Sequence, residues 1–552
     1  MNAAILFEPD GYVLTGPRLM GRQAAGNGFL RAAVKGCGGE TLFAYTPHKA
    51  SAETFRTLVK EIDPAAKAGW LPAGRLELVG DFGVLYRPDH VIGMSARARL
   101  RVGVDRYSLC GVTHTLATAG AMDIMSDYLT APVAPWDAVV CTSTVAVEMI
   151  ETVLAAQADY LAWRFGQPLP APRPLLPLIP LGVHCEDFAA SDADRAEARA
   201  ALNLADDEVA ALFSGRLSFN GKAHPWAMYA ALQEVAQQTG RRVTLIQAGR
   251  FFNKHIEAAY RSAVTQFCPD VRAIFVDGAD AELYGKSWAA ADLFISLSDN
   301  IQETFGLTPV EAMAAGLPVV VSDWNGYKDT VRDGIDGFRV PTWAPAPHTG
   351  ERIGRDFEVD VTNYDHYLLR ASTTIAVEMR PLVARLTELV TNPDLRRRQG
   401  AAGRARAREL FDWSGVYRQY QALWAELNAI RLRARDDPRQ AAWLAAAPKV
   451  APSRLDPFTA FAHYPTAWVT AATRVLRRPG ATIEGYQALI GHPMWGHWSV
   501  TAEVVGRVLE ALGDEGRSVA ELAEIIGWTR ETTIEVAARL AKMDMVELAP
   551  AR

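Results

Sequence analysis

The sequence predicts an α/β chain of two doubly wound parallel-sheet units followed by a mainly helical extension. Three observations carry this reading: short apolar runs alternate with helix-like stretches in the first part of the chain, the same rhythm restarts near residue 209, and it gives way to a helical pattern near residue 431. Strands alternating with helices make a parallel sheet covered on both faces. A chain of 552 residues is too long for one ordinary domain, so two or three cores are expected.

In the first unit the runs Ala3–Phe7, Thr41–Ala44, Leu76–Val79, Tyr107–Val112 and Ala138–Cys141 read as strands. Around residues 167 to 182, GQPLPAPRPLLPLIPLG is too rich in proline for a helix and can pair with a sheet only at an edge, so it reads as a linker or extended surface segment. The second unit alternates VAALFSGRL, a helix from about Trp226, VTLIQAG, a helix from about His255, VRAIFVDG, a helix from about Glu282, DLFISLS and LPVVVSD. Helices follow to about residue 430, including a basic one in LRRRQGAAGRARARELF and an aromatic amphipathic one in FDWSGVYRQYQALWAEL. The last stretch reads as helix, turn, helix and a strand-like end, with Ser518 and Glu521 forming a capping box.

The chemistry concentrates at QETFGLTPVEAMAAG, residues 302 to 316. A parallel sheet binds ligands beyond the carboxyl ends of its strands, so the loop after DLFISLS is aimed at a cleft. Thr308 and Pro309 read as N-cap and first helical residue, which would point free N–H groups at Phe305, Gly306 and Leu307 and suit a phosphate. Gly306 would let a bulky anion approach the backbone. A carboxylate beside a diphosphate would be repelled, so a functional Glu303 must accept hydrogen bonds from neutral hydroxyls, which sugars supply. Glu311 has a second reading, because Thr308-x-x-Glu311 is itself a capping box. FSGRLSFNGKAHP puts Arg216 and Lys222 in a strand-to-helix loop at the same edge, where two cations can neutralise a leaving diphosphate.

Composition narrows the classes. The net charge of −6 offers nucleic acid no bulk attraction, and residues 498–552 hold six Arg and Lys against ten Asp and Glu, a net of −4 that argues against a DNA-tracking end. The five cysteines show no CxxC spacing, which fits reduced thiols and gives no zinc site. The first residues have no basic segment before their apolar run and no stretch is long enough to span a bilayer, so a cytoplasmic protein is expected. Peripheral contact with the inner membrane face stays open, through Arg97, Arg99 and Arg101 or through Arg474, Arg477 and Arg478.

ETFGLTPVEAMAAGLPVVVSD resembles the E-x7-E motif of the retaining family-4, or group 1, glycosyltransferases, and SGRLSFNGK is similar to their diphosphate loop. IPLGVHCEDF and DWNGYKDTVRDGIDGFRV resemble the interdomain signature and the closing segment of the donor domain in that family. The resemblance implies the GT-B architecture of two facing Rossmann-like domains, with a nucleotide sugar held mainly by the second. It implies no metal cofactor. By the same likeness Glu303 touches the donor sugar and Glu311 the ribose, while Arg216 and Lys222 hold the diphosphate with the segment Phe305, Gly306, Leu307 and Thr308. CGVTHTLAT resembles the strand-end histidine of the family, so His114 is expected to face the donor sugar; a histidine capping the next helix is the other reading.

Mapped on the chain, this gives an acceptor-side Rossmann-like domain at 1–183, a donor domain at 184–390, return helices at 391–430 and a helical extension with a helix-turn-helix-like end at 431–552. The family's N-terminal glycine loop has no single counterpart here; Gly16, Gly21, Gly26 and Gly28 offer several choices, and His184 stands where the family has Asp. The expected function is sugar transfer with retention from a nucleoside diphosphate sugar to a hydroxyl acceptor on a glycan, lipid carrier or protein, in bacterial surface polysaccharide or glycoconjugate synthesis. The alternatives are a nucleotide-sugar-binding regulatory or scaffold protein with a C-terminal interaction module, and a glycoside hydrolase using Glu303 and Glu311 as acid and nucleophile. No nucleic acid partner is expected, and the C-terminal region is read as protein-interacting.

Overall fold

The computed structural model describes residues 1–13, 21–168, 171–219, 221–495 and 500–550. The chain divides into two compact units, Met1–Ala451 and Pro452–Arg552.

The first unit holds two parallel sheets. One contains β1 (Ala4–Leu6), β2 (Leu42–Thr46), β3 (Ala68–Pro72), β4 (Val84–Tyr86), β5 (Ser108–Val112) and β6 (Ala138–Val140) in the order β3-β2-β1-β4-β5-β6. The other contains β7 (Val209–Ser214), β8 (Val243–Gly249), β9 (Arg272–Asp277), β10 (Leu293–Ser296), β11 (Val319–Ser322) and β12 (Gly337–Val340) in the order β12-β11-β10-β7-β8-β9. Strands β4 to β8, β10 and β11 are almost wholly buried, as apolar runs covered by helices on both faces must be. The order reverses beside β1 and beside β7, and such switch points open a crevice at the carboxyl ends of the strands.

One expected strand is a 3-10 helix instead. Leu76–Asp81 buries only Val79, and Gly80 and Gly83 bracket a turn into β4, which takes the place between β1 and β5. Three apolar residues, Val84 to Tyr86, are too few to stand out as a pattern, yet all three are buried. The proline-rich segment pairs on the free edge of β6, where Leu175 N–H donates to Asp137 at 2.8 Å and Ile179 N–H to Cys141 at 3.0 Å. Pro177 can only accept there, taking the Cys141 N–H at 2.9 Å, which is what proline allows at a sheet edge.

The chain returns to the first sheet through the helix Trp413–Ala434, N-capped by the Asp412 carboxylate. Its Trp413, Tyr417, Tyr420 and Trp424 pack around Phe29, which stacks on Tyr86 at 4.1 Å between centroids. The return does not stop there: Ala434 and Ala451 still bury against Leu100, Val104 and Trp136. Arg99, offered above as a membrane contact, is fully buried and paired with Asp137 at 2.6 Å, and Arg97 is paired with Asp127 at 2.5 Å. An arginine at zero exposure cannot meet a lipid headgroup.

The second unit has its own core of Val475, Tyr486, Leu509, Leu522 and Leu540. It is not all helical. Helices Ala502–Leu512, Val519–Ile526 and Arg530–Lys542 accompany a three-stranded antiparallel sheet in which Arg474–Arg477 lies between Arg517–Ser518 and Val546–Ala549. The Ser518–Glu521 capping box forms as expected. Arg474 and Arg477 spend their guanidinium groups on backbone carbonyls, and Arg478 pairs with Asp544 at 3.0 Å.

Candidate active site

Two loops build the site. One follows β7 and carries Arg216 and Lys222; the other follows β10 and carries Asp299 to Gly306. Lys222 Nζ lies 2.6 Å from Glu303 Oε2, in a pair whose side chains are 32% and 14% exposed. Burial works to raise the Glu303 carboxyl, but the Lys222 ammonium and the Gly306 and Thr304 amides together outweigh it, so Glu303 titrates below the ordinary glutamate range. Arg216 donates to the Gly221 carbonyl at 3.3 Å, which also accepts from Gln302 Nε2 at 3.4 Å.

The helix after Glu303 starts earlier than its sequence suggests. It runs Leu307–Ala315 with Gly306 as N-cap at φ +83° and no side-chain cap, so Thr308 and Pro309 lie within the first turn and the Thr308–Glu311 capping box does not form. The amides of Leu307 and Thr308 remain among the unpaired donors of a helix start. Gly306 has a reason beyond access for an anion. A Cβ there would lie 2.0 Å from Cε1 of Tyr327, whose hydroxyl is 2.9 Å from Ser296 Oγ. The Phe305 side chain is buried against Phe411 in the core, which leaves only its backbone to face a ligand. Glu311 is partly buried, and desolvation pushes its carboxyl up to about 7, against a weaker pull from Lys222.

His114 follows β5, across the cleft. Its Nε2 lies 2.8 Å from the Pro88 carbonyl, and its own carbonyl accepts the Thr304 hydroxyl at 3.2 Å. Ser143 also donates to the Thr304 carbonyl, and Thr144 N–H donates to Asp329 at 2.6 Å. The Glu303 loop is thereby pinned to the strand ends of the first sheet. His114 does not cap the following helix; Thr118 does.

The glycines offered as an acceptor loop separate. Gly16 lies outside the described residues, and Gly21 opens the helix Gly21–Gly36. Gly26 and Gly28 sit inside that helix, where a Cβ would meet the Gly11 carbonyl at 2.1 Å and the Trp413 indole at 2.5 Å. They are close-packing positions in the body of the domain. His184 bonds the Gly28 carbonyl at 3.1 Å, so it ties the crossover to this helix.

Asp299 is a residue the sequence did not flag. It is 6% exposed, accepts the His224 N–H at 3.2 Å through Oδ2, and leaves Oδ1 without a partner. Burial pushes its carboxyl up to about 7. His90 is likewise buried with both ring nitrogens unpartnered, and burial holds it near 4. A lone aspartate after a strand and a histidine in RPDH carry no periodic signal. A cavity of about 410 Å³ lies elsewhere, among Arg195, Arg199, Asp292 and Arg396, where the arginines are spent on Asp292 and on backbone carbonyls.

Residues 208–349, which contain both loops, match the family model described as Glycosyl transferases group 1. The likeness to group 1 glycosyl transferases covers this segment and not the whole chain. Among relatives of the chain, a D-inositol 3-phosphate glycosyltransferase of Geodermatophilus obscurus is 31% identical over 183 residues, covering 31% of this chain and 38% of that protein. An alpha-maltose-1-phosphate synthase of Mycolicibacterium smegmatis is 30% identical over 141 residues, covering 26% and 29%. A lipopolysaccharide 1,2-N-acetylglucosaminetransferase of Salmonella typhimurium is 26% identical over 171 residues, covering 31% and 44%. The matched part thus spans less than half the length of each of these relatives. Anabaena Alr3699/HepE in complex with UDP superposes with a TM-score of 0.50 at 16% identity, covering 77% of this chain and all of that one. The likeness identifies the two sheets as the GT-B fold, with the matched segment in its second half. Among the described residues no helix is long and apolar enough to cross a membrane.

Proposed function

We propose that the chain is a retaining glycosyltransferase, moving a sugar from a nucleoside diphosphate sugar to an acceptor hydroxyl. The observation that carries this is the Lys222–Glu303 pair at 2.6 Å, with Arg216 in the same loop as the lysine and the start of the Leu307–Ala315 helix beside the glutamate. Two cations and a helix N-terminus suit the charge that grows on a departing diphosphate, and fixed charges of this kind supply most of the rate gain in many transfer reactions. A carboxylate held ionised next to them suits neutral sugar hydroxyls, which it orients.

In this reading the acceptor oxygen attacks the anomeric carbon as the bond to the diphosphate breaks. The leaving phosphate oxygen takes the acceptor proton on the same face, which retains configuration. Arg216, Lys222 and the amides of Leu307 and Thr308 stabilise the diphosphate. Glu303 and His114 orient the sugar, and Glu311 meets the ribose. No step calls for a metal. The lipopolysaccharide-modifying relative favours a bacterial glycoconjugate as product, and the UDP complex of Alr3699/HepE makes uridine the first base to try. Residues 452–552, acidic in their helix-turn-helix part, are read as a protein-contacting module. Paired as they are, Arg97 and Arg99 give no support to membrane association.

Calorimetric titration of the full chain with UDP, GDP and ADP, followed by a panel of the matching sugar nucleotides for slow hydrolysis, tests the reading. Binding of one diphosphate and release of its sugar is expected; binding of none would overturn it.

A further inference from the structure

Between β12 and the short strand Ala376–Val377 the chain inserts two helices, Glu351–Glu358 and Tyr364–Ser372, beyond the end of the matched family segment. The pair is internally braced: Arg370 bonds Asp356 at 2.8 Å, and Phe357 stacks on Tyr367 at 4.5 Å. Asn363 caps the second helix through the His366 N–H, so Tyr364 is its first residue and is fixed by that cap.

Tyr364 reaches the site. Its hydroxyl donates to Gln302 Oε1 at 3.3 Å, Gln302 Nε2 donates to the Gly221 carbonyl at 3.4 Å, and that same carbonyl accepts Arg216 at 3.3 Å. Gln302 precedes Glu303, and Gly221 precedes Lys222. The Arg216 guanidinium is also near enough to act on the Tyr364 phenol, opposing the effect of its burial. The hairpin therefore meets the loop after β10 directly through Gln302, and the loop after β7 through the bond Gln302 makes to Gly221.

We propose that this hairpin forms a wall of the diphosphate pocket and that Tyr364 is a positioning residue, which through Gln302 holds the Arg216–Lys222 loop in place for the diphosphate. The inference rests on the donor reading above. Its physical basis is pre-organisation: a loop already held in its binding geometry has less freedom to lose when an anion binds, so the gain appears as affinity for the group that loop contacts. Each contact is a neutral or singly charged hydrogen bond longer than the usual range, so the effect is modest and should fall on the diphosphate more than on the nucleoside.

The test uses the full chain as wild type, Tyr364→Phe, Gln302→Leu and the double variant, with Tyr367→Phe as a control that keeps the ring stack. UDP, GDP, ADP and their monophosphates are titrated by calorimetry, and melting temperatures are recorded alongside. Tyr364→Phe is expected to weaken the preferred diphosphate about threefold to tenfold. The matching monophosphate should change less than about twofold on the same scale, with melting unchanged. Gln302→Leu should do the same and the double variant should add little, because the two side chains act in one chain of contacts. Wild-type diphosphate-to-monophosphate ratios in both single variants would overturn the proposal, as would equal losses for the two ligands. A wild type that binds no diphosphate brings down the donor reading and the proposal with it.

Discussion

Lys222 Nζ sits 2.6 Å from Glu303 Oε2 and ties the loop after β7 to the loop after β10. The pair fixes how the two sides of the proposed donor site meet, and it makes their substitutions differ. Glu303→Gln keeps the size of the side chain, drops its charge and releases Lys222. Nucleoside diphosphate affinity should stay level or rise, while sugar transfer or donor hydrolysis falls by about a hundredfold, the scale of a misplaced reacting group. Transfer at the wild-type rate in this variant would remove Glu303 from the reaction.

Arg216→Ala removes a side chain whose described hydrogen bond is to the Gly221 carbonyl at 3.3 Å, so folding should be little affected. Loss of a charge-assisted contact to phosphate is worth about 1.5–3 kcal/mol, or roughly tenfold to a hundredfold in affinity. Calorimetry with the preferred diphosphate and a melting curve give both numbers. A fall in melting temperature without a fall in affinity would make Arg216 structural.

Gly306→Ala should damage both fold and site. The residue holds φ +83°, and a Cβ would lie 2.0 Å from the Tyr327 ring. The backbone strain alone costs about 1–2 kcal/mol, and the clash adds to it. Denaturant unfolding checks the size; a loss no larger than the strain of about 1–2 kcal/mol would mean that Tyr327 moves aside freely, and a smaller one that the backbone at 306 relaxes as well.

Glu311 gives a pH signature. Its carboxyl titrates at about 7 in the fold, against an ordinary value of 4.5. Between those values the folded chain holds a proton the unfolded chain has released, so stability falls as pH rises through that window and levels off above it. Asp299, also raised to about 7, acts in the same direction. Glu311→Gln cannot ionise, so its melting temperature should gain on the wild type from about pH 5 to about pH 7 and then run parallel. Parallel curves across the whole range would mean that Glu311 titrates normally. No helix cap is at stake, because the cap is Gly306.

Metal independence is checked by transfer in excess chelator. Undiminished rates are expected, and loss restored by magnesium or manganese would give the diphosphate a different counter-charge.

Local pattern made much of this architecture legible. The buried runs around β7, β8, β10 and β11 are apolar because both faces of the sheet are covered, and the Ser518–Glu521 box follows from spacing along one helix turn. Where the pattern was short or shared by two structures it misled. Val84 to Tyr86 was too brief to notice, Leu76 to Val79 was apolar enough to mimic a strand, and Thr308-x-x-Glu311 had the spacing of a cap placed too late in the chain.

What the sequence determined by itself is therefore the periodic part: two α/β halves, a distinct C-terminal region, and which polar residues stand after the strands, Arg216, Lys222, Glu303 and His114. Those features depend on neighbours within a few positions. Only the tertiary structure decided what lies beside them. It joined Lys222 to Glu303, set Thr304 against His114, brought Tyr364 to Gln302, filled the space over Gly306 with Tyr327, turned Gly26 and Gly28 into packing contacts, and buried Arg99 on Asp137. Each of these pairs residues distant along the chain, and burial raises the energy of polar and steric contacts without leaving any trace in local composition.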